Sequence, residues 1–342
     1  MKETSQGQRI TPLFSVIVPV FNRPDELSEL LESLWYSDGA ALIEVIVVED
    51  GSAITSRKVC EAFSDKLTLQ YVTQSNTGPG EARNTGARLA KSPWLLFFDS
   101  DVLIPKHYFC NLAENLERFD ADLFGGPDTS DTDFPVIQRA IDYAMTSIIT
   151  TGGIRGRKKS LDTYYPRTFN MGVRRTIFLL AEGFAGLRFG EDLDLSMRLI
   201  EKGYNALFFP DIAVVHKRRA NLRQFFKQVY NSGMARVILN RLHPGTMKPL
   251  HLTPSLFFLF FIFAIVTAIT GFLLPVLLVI ALWLVLASDA LFRTGSFSVA
   301  LVSPIAATVQ LSGYGIGLMH ALLLVYIFGK REPRAFEKTF YK

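Results

Sequence analysis

The chain has 342 residues, enough for one large domain and an appended segment. Its 36 Lys and Arg residues nearly balance 32 Asp and Glu residues, so charge gives no support to a nucleic-acid-binding protein. The two cysteines, Cys60 and Cys110, have no zinc-ligand spacing, which argues against a disulfide framework or zinc site and favours a reducing compartment.

Apolar runs of strand length alternate with helical patterns over the first hundred residues. The predicted strands are 14–20, 44–48, 67–72 and 94–98. A turn at 22–25 starts the first helix, whose leucines share one face, and a second helix is predicted at 81–90. Because parallel neighbours need helical crossovers, the alternation predicts an α/β fold with a doubly wound, mostly parallel sheet.

Carboxylates follow two of these strands. Asp50 ends the second strand, and Asp99 and Asp101 come directly after the fourth. Ligands of open α/β sheets bind beyond the carboxyl ends of the strands, and carboxylate oxygens suit Mg²⁺ or Mn²⁺ carrying a diphosphate. The other interpretation is an Asp-Ser-Asp turn that only caps the next helix, since such a triplet by itself is common.

The loop before the second helix is the other candidate for phosphate binding. The helix that begins at Glu81 points its N-terminus toward the same rim, where backbone amides favour an anion. Neither a GxGxxG nor a Walker A sequence occurs in the chain, so dinucleotide oxidoreductase and P-loop functions lose most of their support.

The middle of the chain carries a second acidic pair. The residues that follow this pair have helical spacing, which places Glu191 and Asp192 at a helix N-terminus. Helix capping could explain one of these carboxylates. Two adjacent carboxylates, with Asp194 two residues further on, are more than capping needs. Further strands are predicted at 205–209 and 212–215, ending in His216. The region between 126 and 168 is less patterned: a helix is predicted at 135–149, and the glycine-rich basic stretch at 152–159 is either a solvated loop or a flap near anionic headgroups.

Six motifs in order, FSVIVPVFNR, EVIVVEDGS, GPGEARNTGA, WLLFFDSDV, FNMGVRR and FGEDLDLSMRLIEKGY, resemble the family 2 glycosyltransferases, which have the GT-A fold. The resemblance covers about 14–216. It implies that a divalent metal lies on Asp99 and Asp101, that Asp192 is the catalytic base and that Glu191 lies on the acceptor side. His216 matches a metal ligand of some members, although a strand-end histidine is often only structural. The residues implied in nucleotide-sugar binding are Pro19, Phe21, Asp50, Arg83, Asp99, Ser100 and Asp101.

The C-terminal third predicts a membrane region. Residues 221–241 interleave apolar and basic side chains, which suits either the membrane surface or packing on the catalytic domain. The uncharged run 256–287 is too long for one helix across a ~30 Å hydrocarbon core at ~1.5 Å per residue, and a hairpin broken at 271–275 is expected. The second uncharged run, 296–328, is either one long helix or an interfacial piece and a span, and Gly313 and Gly317 are candidates for a helix contact.

Basic residues before and after these runs favour an even number of crossings, whereas a hairpin and one helix make three, so topology stays open. The N-terminus MKETSQGQRI has no apolar signal core, so the catalytic domain is expected in the cytoplasm, on a multi-pass protein of the inner membrane. The expected domains are a GT-A domain at 1–220, an interfacial helix region at 221–250, and membrane helices with a basic tail at 251–342.

These patterns together predict an inverting transferase that moves a sugar from a nucleotide diphosphate sugar, with a UDP sugar and a lipid-linked acceptor expected. The resemblance also disfavours a polymerase, because membrane polysaccharide synthases similar to this family carry a QxxRW sequence after the acidic pair and no such sequence occurs here. Two alternatives are a membrane-anchored scaffold that binds the donor without catalysis and a sugar-1-phosphate nucleotidyltransferase. The latter would carry a glycine-rich, arginine-containing loop after the first strand.

Overall fold

The computed structural model describes residues 11–129, 134–151, 164–217 and 220–329. Contacts between residues divide the chain into two units. The sheet unit comprises the described residues 11–129 and 164–216, and the helical unit comprises 134–151, 217 and 220–329. The basic stretch at 152–159, for which the sequence predicted a loop or flap, lies outside the described residues.

The sheet unit is built on a seven-stranded sheet in which the first four strands of the chain are parallel neighbours. Its order is β3-β2-β1-β4-β8-β6-β9, and β8 alone runs antiparallel to both of its neighbours. The predicted mostly parallel α/β sheet is therefore confirmed. The strands of this sheet are β1 (Phe14–Val20), β2 (Ile43–Asp50), β3 (Leu69–Gln74), β4 (Trp94–Phe97), β6 (Leu123–Gly125), β8 (Met171–Arg174) and β9 (Ala206–Phe208).

Helices cover both faces of this sheet, which is why β1 reads as a continuous apolar run rather than an alternating one. On one face, α1 buries its four leucines in a core with Val16 and Val18. On the other, α3 comes so close that a Cβ on Gly86 would lie 2.5 Å from Cγ2 of Ile17. The helices of the sheet unit are α1 (Pro24–Trp35), α2 (Arg57–Phe63), α3 (Pro79–Leu89), α4 (Tyr108–Arg118), α7 (Arg175–Leu180) and α8 (Glu191–Glu201).

A second, three-stranded sheet adjoins the end of β4. It consists of β5 (Val102–Leu103), β10 (Val214–His216) and β7 (Asp128–Thr129), in the order β5-β10-β7. The antiparallel register of β10 and β5 sets His216 opposite Val102. This pairing brings a residue late in the chain beside the Asp99–Asp101 turn.

The helical unit contains the two apolar runs. The break predicted at 271–275 is present, because α10 (Thr253–Ile269) and α11 (Leu274–Thr294) are separate helices. The second run forms a continuous helix α12 (Phe297–Leu322) with a π-helical extension (Leu323–Ile327), which selects the single long helix over the alternative. Within the part of the chain that the structure describes, three segments are long and apolar enough to span a membrane: Pro249–Ile269, Leu274–Thr294 and Phe297–Ile327.

The amphipathic segment forms α9 (Leu222–Leu242), which packs on α12 through glycines. A Cβ on Gly313 would lie 2.6 Å from Cγ2 of Val229, and one on Gly317 would collide with the carbonyl oxygen of Tyr230. Both glycines of the predicted contact therefore face α9, because only a residue without Cβ allows the two backbones to approach so closely.

Residues 134–151 group with the helical unit, although they lie inside the range predicted for the catalytic domain. They form α5 (Val136–Thr146) and α6 (Ile148–Thr151). The apolar face of α5 joins a core with α9, α11 and α12, and the Tyr143 hydroxyl donates to Asp289 Oδ2 of α11 at 2.7 Å.

Candidate functional site

The site lies at the carboxyl ends of β2, β1 and β4. Because these strands are parallel neighbours, the residues that follow them share one edge of the sheet, as the sequence predicted. Asn22 joins two of the loops at this edge. Its side-chain oxygen accepts hydrogen bonds from the backbone N–H groups of Ala53 and Ile54, at 2.8 and 2.9 Å. Its φ of 54° lies in the left-handed region, which asparagine tolerates better than most residues.

Asp50 fastens the loop that leads into α3. Its Oδ1 accepts from the Thr77 N–H at 2.9 Å, and its Oδ2 accepts from the Gly78 N–H at 2.7 Å. Gly78 has a φ of 92°, which glycine adopts without a Cβ clash. Asp50 is buried, so in the structure it supports the loop that leads into α3, and direct contact with a nucleotide stays a prediction. Pro19 and Phe21 lie half-buried at the end of neighbouring β1.

Asp99, Asp101 and His216 form a cluster with metal-ligand chemistry. One ligand atom from each lies within 4.8 Å of the other two, and among the described residues this is the group that could hold a cation. His216 Nε2 lies 3.2 Å from Asp101 Oδ1. The two carboxylates supply the oxygen ligands that suit Mn²⁺ or Mg²⁺, so they fit the metal that the resemblance implied, with His216 as a candidate nitrogen ligand beside them. Ser100, between the two carboxylates, is buried.

Two residues that sequence reasoning missed hold His216. Its Nδ1 lies 3.7 Å from Asp128 Oδ2, and the ring of Phe169 stacks on the imidazole with centroids 5.4 Å apart. A ligating histidine is usually oriented through its second nitrogen. The sequence pointed to these two residues only indirectly. Asp128 begins an acidic, polar stretch of the sequence, and Phe169 begins the FNMGVRR motif.

Arg83 joins the Asp99 turn to α8. Its side chain is only 4% exposed, and its two terminal nitrogens contact Asp99 Oδ1 at 2.5 Å and Glu191 Oε1 at 3.1 Å. Burial by itself would lower the pKa of Arg83, but the Asp99 and Glu191 carboxylates raise it above the ordinary value. The family resemblance places Arg83 near the nucleotide, which stays a prediction; in the structure its guanidinium lies between two carboxylates.

A second arginine contacts the other carboxylate of the turn. Arg23, in the loop after β1, places Nη1 2.9 Å from Asp101 Oδ2. Burial would lower the pKa of Arg23, and the Asp101 carboxylate raises it above the ordinary value. Sequence reasoning gave Arg23 no role, although its position directly after β1 at the shared rim was a usable signal.

Glu191 and Asp192 begin α8 as predicted, after Gly190 in the left-handed conformation. Burial and the neighbouring Asp192 carboxylate raise the pKa of Glu191 to about 7, against the opposing effect of Arg83. Asp192 Oδ1 accepts from the Leu193 N–H at 2.8 Å, while Oδ2 lies 3.8 Å from Nη1 of Arg167. Arg167 was not predicted.

Asp194 belongs to a separate, structural contact. Its Oδ2 accepts from Arg198 Nε at 2.9 Å, and the same guanidinium donates to the carbonyl oxygens of Ala181 and Gly183, both at 2.6 Å. Arg198 thereby holds the loop that precedes α8. Of the three neighbouring carboxylates, Glu191 and Asp192 are the two that remain for the site.

Comparisons with known proteins identify a family that part of this chain matches. Residues 15–179 match the model of the family described as glycosyl transferase family 2. Validoxylamine A glucosyltransferase of Streptomyces hygroscopicus subsp. jinggangensis is 41% identical over 100 residues, which are 28% of this chain and 24% of that protein. The poly(ribitol-phosphate) beta-N-acetylglucosaminyltransferase TarS of Staphylococcus aureus is 36% identical over 114 residues, 32% of this chain and 20% of that protein.

This chain therefore spans a quarter or less of these curated relatives. Among solved structures, the mannosyltransferase PcManGT of Pyrobaculum calidifontis, in complex with GDP-Man and Mn²⁺, matches with a TM-score of 0.60 and 19% identity. The match covers 88% of each chain. At this identity the likeness establishes the fold, and the expected GT-A type is confirmed.

Proposed function

We propose, on the premise that residues 15–179 of this chain belong to glycosyl transferase family 2, that the protein transfers a sugar from a nucleotide diphosphate sugar to an acceptor hydroxyl. The observation that carries this proposal is that one buried arginine contacts both acidic groups of the site. Arg83 contacts Asp99, in the candidate metal cluster, and Glu191, next to the candidate base Asp192.

The departing diphosphate needs stabilisation of its developing negative charge. Asp99, Asp101 and His216 would hold the divalent cation, and a bound Mg²⁺ or Mn²⁺ supplies Lewis-acid stabilisation of the phosphate oxygens. Arg83 keeps Asp99 oriented, and the Asp128 carboxylate beside Nδ1 orients His216. Preorganised charges of this kind commonly contribute the largest single part of catalysis.

The acceptor hydroxyl is a weak nucleophile and must lose its proton as it attacks the anomeric carbon. Asp192 Oδ2 would accept that proton while the bond between the anomeric carbon and the diphosphate oxygen breaks. Asp192 Oδ1 is held by the helix backbone, so the carboxylate is fixed in orientation. One base and one displacement predict inversion at the anomeric carbon. Glu191 would contribute to the acceptor side through its position next to Asp192.

The apolar helices of the helical unit favour an acceptor that is attached to a lipid. Three of the described segments are long and apolar enough to span a bilayer, which favours a membrane-bound enzyme. We propose that the acceptor hydroxyl belongs to a sugar of a polyprenyl-phosphate-linked glycan at the cytoplasmic face of the inner membrane. Since the names of the curated relatives specify a glucosyl- and an N-acetylglucosaminyltransferase, UDP-glucose and UDP-N-acetylglucosamine are the first donors to test.

A donor panel tests the function. Full-length protein in detergent, with Mn²⁺ or Mg²⁺, is incubated with radiolabelled nucleotide sugars and a membrane lipid extract, and the products are separated by chromatography. Label in a glycolipid, lost with EDTA, is the expected result. In a parallel incubation with added pyrophosphate, conversion of the donor to a nucleoside triphosphate and a sugar-1-phosphate would identify a nucleotidyltransferase. Donor binding without product would identify a scaffold. For substitutions of Asp101 or Asp192 in this assay, Asp120→Asn is the matched control, because the Asp120 side chain is 97% exposed.

A further inference from the structure

Each carboxylate of the Asp99–Asp101 turn contacts an arginine from a different part of the chain. Arg83, on α3, contacts Asp99, and Arg23, in the loop after β1, contacts Asp101. The two arginines differ in exposure: the side chain of Arg83 is 4% exposed and that of Arg23 is 37% exposed. Arg83 is thus confined by burial and by two carboxylates, whereas Arg23 has access to solvent.

The same two carboxylates are the oxygen donors proposed for the cation. A divalent ion placed between Asp99, Asp101 and His216 would lie within a few ångströms of the Arg23 guanidinium, and like charges at that range repel strongly. Asp101 is largely buried, so it needs a positive partner whether or not a metal is bound. The guanidinium of Arg23 is such a partner, and a cation would compete with it.

A nucleoside diphosphate changes this balance because it brings negative oxygens to the cation. Planar guanidinium groups pair well with phosphate, so Arg23 could exchange a carboxylate for a phosphate oxygen without losing a charged partner. We propose that Arg23 is an exchangeable counter-ion: it neutralises Asp101 until a divalent cation arrives with a nucleoside diphosphate, and then binds the diphosphate. This inference rests on the proposed function, because it needs the metal and nucleotide site.

The exchange makes cation binding and nucleotide binding interdependent. With the cation alone, Arg23 would lose the Asp101 carboxylate as its nearest partner, whereas the cation with UDP would provide a phosphate oxygen in its place. Thermodynamic linkage then requires each ligand to increase the affinity of the other by the same factor. Removal of the Arg23 charge should therefore strengthen binding of the cation alone and reduce this mutual effect.

The test is calorimetric titration of full-length protein in detergent with Mn²⁺, alone and with saturating UDP. For Arg23→Gln we expect Mn²⁺ alone to bind roughly three- to tenfold more tightly than in the wild type, and the tightening by UDP to shrink. Arg23→Lys keeps the positive charge but not the planar fork, so Mn²⁺ alone should bind within about twofold of wild type and the tightening by UDP should be retained in part. Arg118→Gln is the matched control, because Arg118 forms an exposed pair with Glu114.

Unchanged or weaker Mn²⁺ binding by Arg23→Gln, with the tightening by UDP intact, would overturn the inference. Because the titration needs no sugar transfer, its failure is distinguishable from failure of the proposed function. A protein that shows the exchange but makes no product in the donor panel would keep this inference and lose the proposed transferase. Absence of Mn²⁺ binding with and without UDP would overturn the inference and the metal site together.

Discussion

Replacement of Arg83 tests whether its contacts with Asp99 and Glu191 stabilise the site. Arg83→Gln removes the positive charge between Asp99 and Glu191 while it keeps an amide of intermediate length. The Glu191 side chain is 13% exposed and that of Asp99 is 33% exposed. Loss of the guanidinium therefore leaves a largely buried carboxylate without its partner, whereas water screens part of the Asp99 charge.

The expected penalty follows from this difference in burial. Removal of one partner of a buried pair costs about 3–5 kcal/mol, and the more exposed Asp99 contact contributes less. We expect Arg83→Gln to lower the free energy of unfolding by about 4 kcal/mol near pH 8.5. Because the pKa of Glu191 is about 7, this group is mostly protonated at pH 5.5 and neutral there, so the penalty should fall by roughly half.

Unfolding of the purified protein in detergent, followed by tryptophan fluorescence and circular dichroism at pH 5.5 and 8.5, measures the effect. Arg83→Lys keeps one charge but can engage one carboxylate at a time, so its penalty should lie between those of wild type and Gln. The double variant with Glu191→Gln should recover the pH-dependent part. An Arg83→Gln penalty that is equal at both pH values would refute the proposed link to Glu191.

Four further predictions concern acidic side chains of the site and a glycine of the helical unit. Asp101→Asn should weaken Mn²⁺ binding, measured by calorimetry, at least about tenfold. Asp192→Asn should retain donor binding, but its rate of sugar transfer in the radiolabel assay should fall by about 100-fold or more. Full activity of Asp192→Asn would exclude that residue as the base. Burial raises the folded-state pKa of Glu191 from 4.5 to about 7, so its carboxyl favours folding at low pH and loses that contribution as the pH rises. The unfolding free energy of wild type should accordingly decline relative to Glu191→Gln between about pH 4.5 and 7, and parallel denaturation curves would contradict this. Gly317→Leu should lower the melting temperature of the protein in detergent by several degrees, because its side chain would meet the Tyr230 carbonyl, while Leu301→Ala at an exposed position should change it little.

Much of the sheet unit followed from local patterns in the chain. Continuous apolar runs define β1, β2 and β4, because strands covered on both faces exclude polar side chains. Once those strands are parallel neighbours, the convergence of Asp50 and Asp99 at one edge follows from geometry. The same holds for the hairpin break before α11 and for Glu191 and Asp192 at the start of α8, since each depends on residues a few positions apart.

Contacts between distant segments were decided by tertiary structure. His216 reaches Asp101 through the register of β10 on β5, and a two-residue strand such as β5 has too little periodicity to predict a partner. Arg23 contacts Asp101 and Arg83 contacts Asp99. Which arginine pairs with which carboxylate depends on which side chains are buried, and burial is a property of the whole folded chain. Sequence alone thus determined the local elements and the edge at which the site forms. Packing determined which charges pair there, because pairing depends on separations of a few ångströms between groups that are far apart in the chain.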